Sequence, residues 1–328
     1  MHIVITGGLG FIGSNFIRQI LSSSDLFITN IDAETYAGGL DSLKDIEEKK
    51  NYQYFKSNIQ DYDFIESLIK KLKPDCLINF AAETHVDRSI HKAQPFIDTN
   101  IVGTHILLEV ALKQNLKKYI QISTDEVYGS IEAPHKFTEE SPIKPNSPYS
   151  ASKAAADHLV RAYHETYGLN SLIIRCSNNF GPYQYPEKVI PYFISLALEN
   201  EKLPVYGDGL NVRDWIYVND FCSAISLVLE KGKSGEVYNV GANCELNNLQ
   251  LTKSILKRLN KSENLISFVK DRPGHDRRYA MDSTKIQTQL GWKKKYNFEE
   301  AIDETINWYK NNRAWVGKRI NKKLSAAL

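Results

Sequence analysis

Short apolar runs rich in β-branched residues alternate with amphipathic stretches through the first half of the chain. The runs His2–Thr6, 27–31, Tyr52–Lys56, 76–80, 119–123 and 172–175 each read as a buried strand. Between them 11–21, Tyr62–Leu72, 100–113 and 149–167 read as amphipathic helices. The last of these has Pro148 just before it and Tyr167-Gly168 at its end, the usual start and stop signals. Strands and helices alternating at this spacing predict βαβ units, and hence a parallel sheet covered on both faces. After Arg175 the rhythm changes. Turn residues crowd in (Gly181-Pro182, Pro186, Pro191, Pro204, Gly207-Asp208-Gly209) and the strands shorten. The pattern predicts an α/β protein: a doubly wound parallel sheet over 1–176, then a smaller α/β lobe over 177–328. A late strand at 236–240 is expected to return to the main sheet.

Composition narrows the picture without redrawing it. The hydrophobic share of 42% and charged share of 24% are ordinary globular usage, which excludes long-range disorder and collagen-like repeats. Lys plus Arg number 41 against 39 Asp plus Glu, so the formal charge is +2. That balance argues against a dedicated nucleic-acid binder. No apolar run approaches the ~18 residues of a membrane span. The start MHIVITGGLGFIG lacks the basic leader of a signal peptide, so a cytoplasmic protein is expected. Cys76, Cys176, Cys222 and Cys244 are widely spaced without a CxxC pair, so they read as reduced structural thiols, and no metal site is expected. The basic stretch 318–323 reads as a solvated end.

Candidate chemistry begins at Thr6-Gly7-Gly8-Leu9-Gly10-Phe11-Ile12-Gly13, between the first strand and the first helix. Glycines there allow a tight turn and let a pyrophosphate lie on the helix amino terminus, where free N–H groups favour negative charge. Asp32 ends the second strand, 19 residues after Gly13. A carboxylate there accepts both ribose hydroxyls and repels a 2′-phosphate. The pattern is that of a Rossmann-type sheet holding NAD rather than NADP. Asn58-Ile59 follows the third strand, where an adenine edge lies in such a fold.

Tyr149 and Lys153, four residues apart, share one face of a helix. A tyrosine acting as a base near pH 7 needs its pKa lowered by about 3 units, roughly 4 kcal/mol, and a lysine ammonium, helped by the positive nicotinamide, is a direct way to stabilise the phenolate. Ser123-Thr124-Asp125-Glu126 ends a predicted parallel strand, where open α/β sheets bind their ligands. Two adjacent carboxylates there are candidates for an acid and a base with separated pKa values.

These residues resemble those of the extended short-chain dehydrogenase/reductases, and specifically the dTDP-glucose 4,6-dehydratases. The likeness is carried by TGGLGFIGSNF (6–16), DAETYAGGL (32–40), NFAAETHVDRSI (79–90), STDEVYG (123–129) and SPYSASKAAAD (147–157). In the second half it continues in RCSNNFGPYQYPEKVIP (175–191), LPVYGDGLNVRDWIYVND (203–220) and DRPGHDRRYAMD (271–282). The resemblance implies that Tyr149 takes the C4 hydroxyl proton while hydride passes from C4 to NAD⁺. Glu126 then removes the C5 proton, Asp125 protonates the departing C6 hydroxyl, and hydride returns to C6. The product would be dTDP-4-keto-6-deoxy-glucose, a precursor of deoxysugars such as rhamnose. Thr124 would hold the C4 oxygen, and Lys153 would tune Tyr149.

By the same resemblance, Gly7, Gly10, Phe11, Ile12, Gly13, Asp32, Thr35, Asn58, Ile59 and Ala81 join Tyr149 and Lys153 in holding NAD. Glu83, Thr84, Arg88, Asn178, Asn179, Glu187, Lys188, Val189, Pro204, Tyr206, Arg213, Asn248, Arg272, His275, Arg278 and Tyr279 are implied at the nucleotide-sugar. His85 fits a structural histidine as well as a base. The sequence departs from the family at three places. Thr84 replaces a usual Ser, Asn58 replaces a usual Asp while keeping a side-chain acceptor, and 241–248 is looser on the nucleotide side. The last leaves thymine against uracil open. A 4-epimerase or decarboxylase has no use for an acid that expels the C6 hydroxyl, and a non-catalytic NAD sensor has no use for Tyr149 and Lys153. The helices 100–113 and 149–167 resemble the pair that forms a dimeric four-helix bundle, implying a homodimer.

Overall fold

The computed structural model describes residues 1–326. In chain order the strands are β1 (His2–Thr6), β2 (Phe27–Asp32), β3 (Tyr52–Lys56), β4 (Cys76–Asn79), β5 (Lys118–Thr124) and β6 (Ser171–Cys176). They continue with β7 (Asn178–Phe180), β8 (Leu203–Tyr206), β9 (Val212–Tyr217), β10 (Val237–Val240), β11 (Glu245–Asn247) and β12 (Ile266–Val269). Seven of them build one parallel sheet in the order β10-β6-β5-β4-β1-β2-β3. Side chains alternate across it. Ile3 and Ile5 enter one apolar cluster with Ile28, Ile78, Ile120 and Ile174, while Val4 enters the other with Ile31, Leu77, Tyr119 and Ile173. Both faces are therefore buried, which is why these strands read as continuous apolar runs.

The strand order reverses between β1 and β4, and a ligand crevice opens beyond the carboxyl ends of the strands at such a point. A buried polar chain spans the sheet there. The Thr6 hydroxyl donates to Asn79 Oδ1 at 2.6 Å, and Asn79 Nδ2 donates to Gln121 Oε1 at 3.0 Å. The Tyr119 hydroxyl also donates to Gln121 Oε1, at 2.7 Å. Every member is paired, so the network costs little to bury and fixes β1, β4 and β5 against one another.

The second half of the chain completes the sheet. β10 pairs parallel with β6, Val237 opposite Ile173, and the helix Val218–Lys231 packs on the helix Phe11–Ser23. Beyond this lie a three-stranded sheet, β11-β9-β7, and a two-stranded one, β12-β8.

Two segments differ from the sequence reading. The helix expected at 100–113 begins earlier, as Gln94–Phe96 with Pro95 in its first turn, widens into a π-helix over Ile97–Gly103, and continues as Thr104–Lys113. The wide turn carries Asn100, whose Nδ2 donates to Ser152 Oγ at 2.8 Å and to the Glu83 carbonyl at 3.0 Å. Nor is the basic stretch at 318–323 simply a solvated end. It lies in the helix Arg313–Ala326, and Arg319 is only 5% exposed because its guanidinium is bound to Asp41.

Candidate active site

The crevice at the strand reversal is a deep cleft lined from β1 to β6. Its floor is the glycine turn. Gly7 has φ +72°, and a Cβ there would lie 2.5 Å from the Ala81 nitrogen. A Cβ on Gly13 would lie 2.6 Å from the Gly7 carbonyl oxygen. Backbone is thus packed against backbone, leaving no room for side chains. Gly10 caps the helix Phe11–Ser23 without a side chain, so the first-turn N–H groups of Phe11, Ile12 and Gly13 face the cleft that all three line. Asp32 sits at the end of β2, 8% exposed. Its Oδ2 accepts from Leu9 N at 2.9 Å and its Oδ1 from Glu34 N at 2.8 Å, which orients the carboxylate and leaves each oxygen a second lone pair. Burial pushes its pKa up, and the two backbone N–H groups pull it back.

Thr35, Asn58, Ile59 and Ala81 complete this end of the cleft. Asn58 differs from expectation in one respect. Its side-chain carbonyl accepts from Gln60 N at 3.0 Å, because an Asn at a turn bonds its own backbone two residues on. The acceptor is therefore partly committed to the loop.

At the other end the strand termini bring together Thr124, Asp125, Glu126, Tyr149 and Lys153, all lining the cleft. Asp125 and Glu126 open a 3₁₀ turn, Asp125–Tyr128, capped by the Thr124 hydroxyl. Thr124 Oγ1 donates to Asp125 Oδ1 at 3.2 Å and is also hydrogen-bonded to the Tyr149 side chain. One hydroxyl thus joins the acid turn to the tyrosine. Burial, and then the Glu126 charge, hold the Asp125 carboxyl well above the usual carboxylate range. Glu126 is also raised by burial, but Arg272, Arg213 and Lys188 oppose the shift. Both carboxyls are thus raised by burial, Asp125 beside a like charge and Glu126 among cations that oppose its shift.

Tyr149 and Lys153 are both buried in the cleft. Burial, with Glu126 next, pushes the Tyr149 hydroxyl well above its ordinary value. The Lys153 ammonium donates to the Ile122 carbonyl at 2.6 Å, and burial lowers its pKa. Positive charge brought into the cleft would favour ionising Tyr149.

Glu83, Thr84, Asn178, Asn179, Glu187 and Lys188 also line the cleft. Lys188 Nζ donates to the Thr84 carbonyl at 2.8 Å. Arg88 reaches Glu187 Oε2 at 3.0 Å, and His85 lies 3.7 Å from the same oxygen, a structural placement. Arg213, Arg272, His275 and Tyr279 gather just beyond the lining. The Arg213 guanidinium lies 4.2 Å from the Tyr279 ring centroid, and both arginines face Glu126 electrostatically. Arg272 bonds Asp87 at 2.9 Å, while Tyr206 reaches the same carboxylate at 3.4 Å and His275 pairs with Asp271 at 2.6 Å. Val189, Pro204 and Asn248 lie outside the lining, Val189 and Asn248 as the first residues of helices and Pro204 in β8. Arg278 also lies outside the lining, where its guanidinium donates to Glu245 Oε2 at 2.8 Å and to the His135 carbonyl at 2.8 Å.

Sequence reasoning missed Ser123, Cys176, Ser177, Gln184 and Tyr185, which line the same cleft. The residues after a parallel strand's carboxyl end are the signal that could have found Ser123, Cys176 and Ser177. Gln184 and Tyr185 arrive by a loop that carries no such mark. Among the described residues, Ser123 Oγ, Asp125 Oδ2, Ser177 Oγ, Asn178 Oδ1, Asn179 Oδ1 and Gln184 Oε1 are buried without a hydrogen-bond partner, and all six residues line the cleft. Buried polar atoms in native proteins are ordinarily paired, so this cluster marks where a polar ligand fits. With the glycine cradle, it suits a dinucleotide and a sugar end to end. No group of His, Cys, Asp and Glu among the described residues could hold a metal ion.

Comparison with known proteins agrees with this geometry. The family model for GDP-mannose 4,6 dehydratase matches residues 4–305. The low-salt glycan biosynthesis protein Agl12 of Haloferax volcanii is 50% identical over 94% of this chain and 98% of its own length. The dTDP-glucose 4,6-dehydratase of Xanthomonas campestris pv. campestris (strain B100) is 47% identical over 95% of this chain and 94% of its own. The crystal structure of DesIV, a dTDP-glucose 4,6-dehydratase from Streptomyces venezuelae with NAD and TYD bound, superposes with a TM-score of 0.95 at 42% identity, covering 97% of this chain and 100% of that one. The matched span of residues 4–305 contains the glycine turn, the Thr-Asp-Glu turn and the Tyr-Lys helix, and the chain belongs to the dTDP-glucose 4,6-dehydratase family of the short-chain dehydrogenase/reductases.

Proposed function

We propose that this protein converts dTDP-glucose to dTDP-4-keto-6-deoxy-glucose in an NAD-dependent 4,6-dehydration. The observation that carries the reading is the pair of carboxylates at the end of β5, Asp125 buried and raised in pKa beside Thr124 and Tyr149, and Glu126 partly buried next to it. Loss of water across C5 and C6 needs one acid and one base on one sugar. Neither epimerisation nor decarboxylation has a use for the acid.

NAD bound on the glycine turn supplies a hydride acceptor for C4, a hydride donor for C6 and the positive charge that Tyr149 needs to ionise. Tyr149 takes the C4 hydroxyl proton. Thr124 then donates its hydrogen bond to the C4 oxygen and steadies the ketone, whose electron withdrawal acidifies the proton on C5. Glu126 removes that proton, Asp125 gives its own to the leaving C6 hydroxyl, and Glu126 returns a proton to C5 once C6 is reduced. Lys153 fixes the Tyr149 helix against β5 through Ile122 and adds a buried ammonium. Lys188, Arg213 and Arg272 serve the diphosphate, with Arg272 Nε buried and unpaired among the described residues. Residues 1–176 form the cofactor half, and 177–328 bring the nucleotide-sugar.

The protein is further read as a cytoplasmic homodimer whose ketone feeds deoxysugar synthesis. Ile97 (41% exposed), Val102 (44%) and Tyr167 (56%) leave apolar surface on the helices expected to form the bundle. Four free thiols suit a reducing compartment. No helix of the described residues is long and apolar enough to cross a membrane.

The test is incubation with dTDP-glucose and, separately, UDP-glucose, following alkali-sensitive 4-keto absorbance. A product from dTDP-glucose is expected. Turnover confined to UDP-glucose would move the specificity to uracil, and no ketone from either would end the dehydratase reading.

A further inference from the structure

The last helix of the described chain reaches back to the loop that follows β2. Arg319 Nη1 donates to Asp41 Oδ2 at 2.9 Å and Nη2 to Asp41 Oδ1 at 2.7 Å, a bidentate fork. Nη2 also donates to Ser42 Oγ at 3.1 Å. The guanidinium carbon lies 3.5 Å from the Trp315 ring centroid, so the side chain is held on its own helix as well. Arg319's backbone carbonyl, in turn, accepts the Tyr185 hydroxyl at 3.1 Å.

Each of these partners leads into the cleft. Asp41 sits in the 3₁₀ turn Leu40–Ser42, which continues the segment holding Thr35, Ala37 and Gly38, all cleft-lining. A Cβ on Gly38 would lie 3.1 Å from Asp32 Oδ1, so the loop covers the carboxylate expected to bind ribose. A Cβ on Gly39 would lie 3.4 Å from Arg319 Nη2, so the guanidinium rests against the loop backbone. Tyr185 lines the cleft and meets the Tyr36 ring edge-on at 5.4 Å, while the Tyr36 hydroxyl donates to Glu187 Oε1 at 3.2 Å. One residue, 278 positions from Asp41, therefore ties down two walls of the cofactor end.

We propose that Arg319 is a positioning residue for the cofactor: through Asp41 and Tyr185 it holds the 33–42 loop closed over the adenosine end, so that NAD stays bound between turnovers. The inference rests on the reading of the glycine cleft as an NAD site. An enzyme that takes hydride and returns it within one catalytic cycle gains from a cofactor that does not leave, and a loop pinned by a distant helix slows its release. Arg18 binds the same loop from the first helix, donating to the Ser42 carbonyl at 2.6 Å and to Asp45 at 2.7 Å. Loss of Arg319 should therefore loosen the loop without unfolding it.

The experiment uses the full chain as wild type, Arg319→Ala, Arg319→Lys and Asp41→Ala, each checked for fold by circular dichroism. NAD content after extended dialysis is read by release on denaturation, and the dissociation constant by titration of the stripped proteins. Arg319→Ala and Asp41→Ala should each weaken NAD binding roughly tenfold, which is about 1.4 kcal/mol. Arg319→Lys should fall between them and the wild type. Saturating NAD should restore kcat, and KM for dTDP-glucose should not move. Folded Arg319→Ala and Asp41→Ala proteins that keep NAD as the wild type does would overturn the inference. A wild type that neither carries nor binds NAD would instead remove the cofactor reading beneath it.

Discussion

At the scale of single residues, Asp125 holds its place against stability. Burial and the Glu126 charge favour its protonated form, so its folded pKa stands above the unfolded one. Such a group contributes stability at low pH and loses it as pH rises from the ordinary carboxylate range towards the raised value. Asp125→Asn removes that titration while keeping shape and one donor. The variant should melt at a higher temperature than the wild type, with the gap wider at about pH 8 than at about pH 4. A gap that narrows with rising pH would contradict the assigned direction. In the reaction, Asp125→Asn should still oxidise C4, so that reduced cofactor accumulates, while elimination slows by roughly 10²–10⁴-fold. If no reduced cofactor appears in the folded variant, the acid role belongs elsewhere. Tyr149 shows the limit of local reasoning. Its partner at i+4 was visible in the sequence, but the desolvation that raises its pKa came only with the assembled cleft.

At the scale of elements, Gly7 and Gly168 make a controlled comparison. Both have positive φ, +72° and +69°, so an added side chain costs about 1–2 kcal/mol at either site from backbone strain alone. Gly168 ends the helix Pro148–Tyr167, and a Cβ added there would have nothing within 4 Å, whereas at Gly7 that Cβ would meet the backbone of Ala81. Gly168→Ala should therefore lose only the strain cost in chemical denaturation and keep NAD affinity. Gly7→Ala should lose clearly more stability and most NAD binding, because β1 and β4 must separate to admit it. Equal losses would mean that contact with Ala81 does not matter. The inner strands of the first half were readable because burial on both faces leaves a largely apolar signature, while β3 at the sheet edge (YQYFK) was readable from its aromatic residues and spacing. β7 and β11, three residues each, are too short to carry any period. The π-helix at Ile97–Gly103 was unreadable for another reason: it is stabilised by Asn100 bonding to Ser152 and Glu83, contacts that no local pattern encodes.

At the scale of the whole molecule, the charge balance conceals a local arrangement. Glu126 lies among Arg213, Arg272 and Lys188, drawn from three separate stretches of the second half. A near-neutral total says nothing of this. The proposed dimer belongs to the same scale. Val102→Glu would place a charge in the apolar face that Ile97, Val102 and Tyr167 leave exposed, and burying it unpaired is costly. Sedimentation should show that variant as a monomer at concentrations where the wild type is a dimer. A variant that sediments as the wild type does would place the interface on another face.

The sequence alone determined the parallel sheet, the glycine turn and the candidates for the reacting groups. Each depends on residues close in the chain: alternating burial, a strand–turn–helix junction, or two side chains one helical turn apart. Tertiary structure decided what those groups feel. It turned the Arg278 fork to Glu245 and carried Arg319 from the far end of the chain to Asp41. Position in space, and with it desolvation and charge, depends on the whole folded chain. For that reason the acid and base could be proposed from the sequence, while the charges around them and the proposed latch over the cofactor end could not.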